Sequence, residues 1–237
     1  MPGFLKADQI YVTVDLLPMT VAEGELRLLL SRRREPPFAG HWALFGKGLG
    51  ASETAEDAAR SLLGEMLPGE NAYLEQLYTF SELGRDPRGR VITIAHLAVL
   101  PWRSLRETLP REGLTLFRVC ADRDGLRLTD EEGTALDREE LAFDHAAIVE
   151  TGLQRLRGKL PYTDIAFHFL SDVDSFTLVE LQTVYEAVLG HPLDGGNFRR
   201  SMQSRYIDSG RIQLTAQSPD GSRRRGRPAA RYRLNRP

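Results

Sequence analysis

The stretch GHWALFGKGLGASETAEDAARSLLGEMLPG, from Gly40 to Gly69, decides how the first part of this chain folds. It reads as a strand ending in Trp42-Ala43-Leu44, a turn through Gly46, Gly48 and Gly50, and then a helix. In the helix Ala55, Ala58, Ala59, Leu62, Leu63 and Met66 recur at three- and four-residue spacing and make one apolar face. Ser52 or Thr54 is placed to cap its start, and Asp57 sits in the first turn, where the helix dipole favours negative charge. Pro68-Gly69 stops it. An ordinary amphipathic helix after a glycine turn would look the same from this stretch alone, so the flanking sequence has to decide.

On the N-terminal side, Ile10 to Leu17 is a β-branched run suited to a buried strand, and Glu25 to Ser31 makes a second strand after the Glu23-Gly24 turn. Arg32-Arg33-Arg34 follows. A solvated charge run is the simple reading of any one of these residues. At the mouth of a sheet beside the Trp42 segment one or two could instead grip ligand phosphates, with Arg32 the candidate because it continues the strand. Trp42 and Phe45 flank the glycine turn as core residues or as a stacking platform.

On the C-terminal side, Leu74 to Glu82 and Arg90 to Leu100 are two strands joined by Gly84-Arg85-Asp86-Pro87-Arg88-Gly89, a segment rich in turn residues. Both faces of the second strand are largely apolar, as in a central strand, and His96 reads as a satisfied core or rim histidine. Leu116 to Ala121 and Leu126 to Thr129 form a further hairpin around Asp122-Arg123-Asp124-Gly125. Acidic residues from Asp130 to Glu140 mark a surface loop. Asp144 then caps a helix from His145 to Arg157, with Ala146, Ile148, Val149, Leu153 and Leu156 as its buried stripe. The sum is an α/β fold, a mixed sheet layered with helices.

From Thr177 onward the character changes. This part carries 11 Arg, no Lys and five acids, a net +6, so the remainder carries −8 of the formal net charge of −2. An acidic first part joined to a basic last part predicts a second domain that faces a polyanion. Thr177-Leu178-Val179-Glu180 is a capping box opening one helix, which Gly190 ends. Asp194 caps a second helix running to about Asp208, with Phe198, Met202 and Tyr206 facing inward. Asn197, Arg199, Arg200, Ser201, Ser204 and Arg205 are left for an outward face of the kind that enters a major groove. Ile212-Gln-Leu-Thr and Arg231-Tyr-Arg-Leu make two strands around a basic loop, so the order is that of a winged helix. The alternative is a basic helical appendage for protein contacts. The loop holds Arg223, Arg224, Arg225 and Arg227, and Arg-Gly-Arg-Pro at its end suits a minor groove.

The 237 residues suffice for one large or two modest domains, and 41% hydrophobic with 27% charged residues is a soluble, globular composition. The single cysteine, Cys120, excludes an internal disulfide and fits a reducing compartment. The sequence start has no signal-peptide pattern and no apolar run approaches a membrane span, so a cytoplasmic protein is expected.

The Gly40–Gly69 stretch resembles the Nudix box: Gly, five residues, Glu, seven residues, Arg-Glu, then two adjacent Glu and a Gly. Anchored on Glu53, the box glycine falls on Lys47, the Arg-Glu pair on Ser61 and Leu62, the Glu-Glu pair on Glu65 and Met66, and the last Gly on Pro68. Only Glu53 and Glu65 survive. Carboxylates at helix positions i, i+3 and i+4 share one face and can hold the hard cations that clamp a pyrophosphate. With Leu62 and Met66 in two of those places, hydrolysis is expected to be absent or very slow, and no catalytic residue, metal ligand or cofactor is assigned.

The whole chain is similar to the Nudix-related transcriptional regulators of NAD metabolism. The similarity lies in Tyr78-Thr-Phe80 with Gly84 to Arg90, Leu141-Ala-Phe-Asp-His145, Phe176-Thr-Leu-x-Glu-Leu-Gln182, and Gly190-x-Pro-Leu-Asp194 leading to Asn197-Phe-Arg-Arg200. The resemblance implies a Nudix-type α/β/α sandwich over residues 1–158, a linker over 159–176 and a C-terminal winged helix-turn-helix domain over 177–237. It also implies a homodimer on double-stranded operator DNA and an effector, ADP-ribose or a related nucleotide. The candidate ligand residues are Arg32, Trp42, Phe45, Lys47, Glu53, Glu65 and Arg85. Lys47, where the chain departs from the box, is a candidate, in place of a metal ion, for the counter-charge of a phosphate. Two other functions remain open: a Nudix hydrolase with an accessory nucleic-acid domain, and a constitutive DNA-binding protein whose first domain is a scaffold.

Overall fold

A computed structural model describes residues 9–67, 72–107, 109–122, 125–216 and 229–235. The strands β1 (Tyr11–Ala22) and β2 (Glu25–Arg32) form a hairpin, followed by the short β3 (Trp42–Ala43) and β4 (Phe45–Gly48). Helix α1 spans Ala55–Met66, then β5 (Tyr73–Phe80), β6 (Val91–Leu100), the short α2 (Trp102–Arg106), β7 (Leu114–Asp122), β8 (Gly125–Thr129) and β9 (Ala135–Leu136). Helix α3 covers His145–Lys159, two residues longer than expected.

The sheet runs in the order β5-β6-β1-β2-β7-β8-β9. Its centre is the parallel pair β1–β6, in register from Tyr11↔Val91 to Thr20↔Leu100. β1 changes partner along its length. Its second half pairs with β2 from Met19↔Leu28, and its first half pairs with β4, including Val14↔Lys47 and Asp15↔Gly46. Where β1 and β2 part, the sheet opens into a cleft. Strand alternation sends Val14, Leu16 and Leu29 to one face, under Ala58, Ala59, Leu62, Leu63 and Met66 of α1. It sends Leu17, Met19, Leu28 and Leu30 to the other, under Ile148, Val149, Leu153 and Leu156 of α3. The approach of α3 is close: a Cβ at Gly152 would fall 2.1 Å from Leu17 Cδ2. This is the expected α/β/α sandwich.

In α1 the cap is Thr54, which accepts from the Asp57 N–H while Asp57 accepts from the Thr54 N–H, a reciprocal box. Asp144 does not cap α3; its side chain makes no cap hydrogen bond. Its carboxylate is held elsewhere, as described below.

After α3 a buried 3-10 segment, Ile165–Phe169, packs its apolar residues into the α3 side of the core, so this part of the expected linker is docked. The last elements are β10 (Phe176–Thr177), α4 (Leu178–Leu189), α5 (Gly195–Met202), β11 (Ile212–Ala216) and β12 (Arg231–Leu234), with β12 between β10 and β11. α4 opens with the expected box between Thr177 and Glu180 and ends at Gly190 in the left-handed conformation. α5 is shorter than expected, because a single π turn over Gln203–Ile207 follows Met202. Leu181, Val184, Phe198, Met202, Tyr206 and Ile212 join the cluster that holds Phe167 and the α3 stripe, so one apolar core runs from the sheet into the winged helix.

Candidate functional site: an arginine-lined cleft and an exposed helix face

The cleft at the parting of β1 and β2 has a volume of about 730 Å³. Its floor is β1 and β4, one wall is the Arg85–Arg88 turn, and the start of α3 closes its end. At its base lies a buried charge cluster. The Arg85 side chain is only 4% exposed. Its Nε donates to Asp144 Oδ2 at 2.8 Å and its Nη2 to Asp144 Oδ1 at 2.6 Å, a bidentate fork. Nη2 also reaches Asp15 Oδ2 at 3.4 Å. Burial alone lowers the Arg85 pKa, but Asp144 first and then Asp15 outweigh it and hold the guanidinium charge more firmly.

His145 lies beside this cluster. The Leu44 N–H donates to His145 Nδ1 at 3.0 Å, which leaves the ring proton on Nε2, 4.0 Å from Asp15 Oδ1. Complete burial is the main cause of its lowered pKa, so the ring is neutral near pH 7. Gly46 is required here by space, since a Cβ at this position would meet Asp15 Oδ1 at 2.4 Å.

Above the cluster is an aromatic and cationic rim. Phe38 and Phe143 meet edge to face at 4.8 Å, and both hold positive φ, 64° and 56°. For bulky side chains that is strained backbone, of the kind concentrated at ligand sites. The guanidinium carbons of Arg33 and Arg88 lie 4.9 Å and 5.7 Å from the Phe143 ring centre. Burial, then the neighbouring Arg88, lowers the pKa of Arg33. Asp86 grips Arg88 through Nε at 3.0 Å and Nη2 at 2.6 Å, which sets the direction of that side chain.

Of the residues expected to meet a ligand, Phe45, Lys47, Glu65 and Arg85 line the cleft. Arg32 does not. It points away, donating from Nε to the Gly40 carbonyl at 3.0 Å and lying over Trp42 at 5.8 Å; Arg33, one residue on, enters the cleft instead. Trp42 packs edge to face on Phe117 at 5.1 Å and is a core residue. Glu53 is not part of the lining: it accepts from the Gly50 N–H at 2.8 Å and from Lys47 Nζ at 3.1 Å. Sequence reasoning did not single out Asp15, Arg88, Phe143 or His145, and within Arg32-Arg33-Arg34 it favoured Arg32 over Arg33. The available signal was a carboxylate, Asp15, set inside an otherwise apolar strand.

The second surface is the outward face of α5. Asp194 accepts from the Asn197 N–H at 2.8 Å, and Phe198, Met202 and Tyr206 are buried as expected. Asn197, Arg199, Arg200, Ser201 and Ser204 are exposed. Arg205 is not on this face. It lies over the Tyr206 ring at 4.6 Å and donates to the carbonyls of Leu160 at 2.9 Å and Thr163 at 2.8 Å. The π turn adds a residue to the helical turn and so rotates Arg205 back toward the body of the protein. Arg223, Arg224, Arg225 and Arg227 fall outside the described residues.

Helix α3 joins the two surfaces. Its 15 residues span about 22 Å. At the cleft end, Asp144 and His145 belong to the charge cluster. At the far end, donors from the winged helix satisfy carbonyls at and just past the helix terminus: Tyr185 Oη and Arg205 on Leu160, and Tyr206 Oη and Arg205 on Thr163. Arg157 extends the tie, donating to the Val188 carbonyl of α4 at 3.0 Å and the Ala121 carbonyl of β7 at 3.2 Å.

Comparison with known proteins decides the family. Residues 166–234 match the NrtR DNA-binding winged helix domain. The ADPR responsive transcriptional repressor NtrR of Acinetobacter baylyi is 31% identical over 225 residues, covering 94% of this chain and 81% of that protein. The chain belongs to the NrtR family. The structure of Shewanella oneidensis NrtR complexed with a 27mer DNA matches with a TM-score of 0.70 at 28% identity, over 94% of this chain and 93% of that one. A MutT/nudix family protein from Enterococcus faecalis shares the fold, with a TM-score of 0.73 at 24% identity, over 97% of this chain and 89% of that one. Among the described residues no helix of this NrtR-family chain is long and apolar enough to cross a membrane.

Proposed function

We propose that this chain is a transcriptional regulator that binds operator DNA as a homodimer and answers to ADP-ribose or a related nucleotide without hydrolysing it. It comprises a Nudix-type sensor over residues 1–158, a docked connector over 159–176 and a DNA-binding winged helix from 177 onward. One observation carries the reading: a cleft rimmed by Arg33, Arg88 and Phe143 and an exposed Arg/Asn/Ser helix face are tied to opposite ends of α3. The relatives support it, one being an ADPR responsive repressor and another a structure bound to DNA. The cleft offers guanidinium groups to phosphates and aromatic faces to a base. A ligand phosphate that draws Arg85 from Asp144 acts on the first turn of α3. Arg157 and Arg205 pass the displacement to α4 and α5. A cytoplasmic location follows from DNA as the partner.

The test is fluorescence anisotropy on a duplex selected from a random-sequence pool, with and without ADP-ribose, beside an assay for product release in Mg²⁺. Sequence-selective binding that ADP-ribose alters, with no turnover, is the expected result. Metal-dependent turnover approaching the roughly 1–10³ s⁻¹ of ordinary enzymes would instead favour the hydrolase reading. Binding indifferent to nucleotides would leave a constitutive DNA-binding protein.

Within this reading the two arginines near the end of α5 separate. Arg200→Ala is expected to weaken binding by about 1–3 kcal/mol, as for a lost bidentate base contact, and to relax preference at one operator position. Arg205→Ala removes hydrogen bonds to α3 rather than to DNA. Operator titrations should show its base preferences intact while the shift produced by ADP-ribose shrinks. Loss of preference at a base in Arg205→Ala would put that residue back in the groove.

A further inference from the structure

The Nudix fold implies divalent cations held by acids of the box helix, and the residues here do not fit them. Leu62 stands on the cleft side of α1 where an acid would be needed. Glu65, the surviving helix acid, accepts from Ser61 Oγ at 3.3 Å. Glu53 is taken by the Gly50 N–H and by Lys47. Among the described residues no group of three or more His, Cys, Asp or Glu is placed to hold a metal ion.

The chain has a cation of its own in this part of the cleft. Lys47 stands at the box position that the Nudix pattern gives to glycine, on β4, paired with Val14 of β1. Its ammonium sits 3.1 Å from Glu53 Oε2, and the two side chains are 32% and 25% exposed, sheltered enough for the pair to hold its geometry. The Gly50 N–H fixes the other Glu53 oxygen at 2.8 Å, so the carboxylate acts as a bracket for Lys47. Gly46 lets β4 press against Asp15 and brings the Lys47 backbone to the cleft floor. An ammonium has three donors, and among the described residues Glu53 is the one hydrogen-bond partner of the Lys47 side chain, which leaves N–H groups for a ligand. In the lining Arg33, Arg34, Lys47, Arg85 and Arg88 stand among Asp15, Glu35, Glu65 and Asp86, while Glu53 and Asp144 pair with Lys47 and Arg85 from outside it, so several cations converge on the cleft with no metal.

Building on the effector-binding reading above, we propose that Lys47, bracketed by Glu53, is a built-in cation that binds the diphosphate of the effector and makes its recognition independent of metal. A cation that is part of the fold cannot be stripped by chelation or exchanged. It also brings no metal-bound water to attack the phosphate, so the signal survives its own detection.

The experiment is calorimetric titration of the full chain with ADP-ribose and, separately, with inorganic pyrophosphate, each in EDTA and in Mg²⁺. The expected result is an affinity in EDTA at least equal to that in Mg²⁺. Lys47→Met is expected to weaken both probes by about tenfold or more in EDTA, on the scale of a lost charge-assisted hydrogen bond, while Lys47→Arg retains binding. Unchanged melting of Lys47→Met shows that the fold is intact. If EDTA abolishes binding and Mg²⁺ restores it, or if Lys47→Met binds as the parent does, the proposal is overturned. Pyrophosphate bound through Lys47 with no binding of ADP-ribose would keep the built-in cation and remove the effector assignment. Failure of both probes to bind would remove both.

Discussion

Asp144→Ala is expected to cost about 3 kcal/mol of unfolding free energy, the size seen when one partner of a buried ion pair is removed. The reason is what it leaves behind. The Arg85 side chain is 4% exposed and loses its bidentate acceptor, retaining only Asp15 at 3.4 Å. Asp15 cannot compensate fully, because one contact at 3.4 Å would replace a fork at 2.8 Å and 2.6 Å. Asp144→Asn, which keeps the shape and one acceptor, is expected to fall between the parent and Asp144→Ala. Urea unfolding near neutral pH measures the series through shifts in midpoint at constant m-value. A loss below about 1 kcal/mol for Asp144→Ala would mean that water or Asp15 satisfies Arg85 and that the cluster is not the tight joint it resembles.

The same cluster bears on the response to ligand. A guanidinium shared between two carboxylates is held in place until a third anion competes for it. A phosphate is such an anion, and the carboxylate it displaces sits at the first turn of α3. Asp144→Ala should therefore bind ADP-ribose while showing a reduced effect of ADP-ribose on DNA, since the ligand no longer has the carboxylate at the start of α3 to displace.

Much of this was legible in the sequence, and what was not has common causes. The α1 face was readable residue by residue, because helical periodicity records burial on a single face: Ala58, Ala59, Leu62, Leu63 and Met66 are all buried. The capping boxes at Thr54 and Thr177 are local in sequence and were legible or nearly so, although Ser52 remained an alternative to Thr54. Asp144 was misread as a cap because its partner, Arg85, lies 59 residues away and no local rule reaches it. Arg32 is favoured in the sequence because it continues the strand, but its side chain turns to the Gly40 carbonyl and Trp42, and Arg33, just past the end of β2, lines the cleft. Trp42 is set by its contact with Phe117 across the sheet, a non-local fact. Arg205 was placed outward on the assumption of 3.6 residues per turn, and the π turn at Gln203–Ile207 breaks that period. The cleft rim was the least legible part: Phe143 stood in a quoted phrase, yet its role depends on a positive φ and on arginines from two other loops.

Replacing Arg223, Arg224, Arg225 and Arg227 together by alanine is expected to have the largest effect on DNA binding. These residues lie outside the described part of the structure. β11 and β12 pair antiparallel, Ile212 opposite Leu234, so the segment between them is the loop that joins the two strands of the wing. Four cations on that segment are expected to meet the phosphate backbone, and each such contact would release condensed counterions. Losing one contact lowers the log-log salt slope by about 0.9; extrapolated from about 1 M to about 0.15 M salt, that is roughly fivefold in affinity. Four such contacts amount to about a thousandfold. The Arg-Gly-Arg-Pro sequence adds a directional expectation, because arginines laid in a minor groove favour the narrow, electronegative groove of A·T tracts. The four-alanine variant should therefore lose a preference for A·T at the operator flanks while the bases read by α5 keep their ranking. Anisotropy titrations at several salt concentrations, on duplexes with A·T or G·C flanks, separate the two effects. A lower slope with the flank preference intact would place the arginines on phosphates outside the groove. An unchanged slope and preference would mean that the loop does not touch the DNA and that α5 alone carries binding.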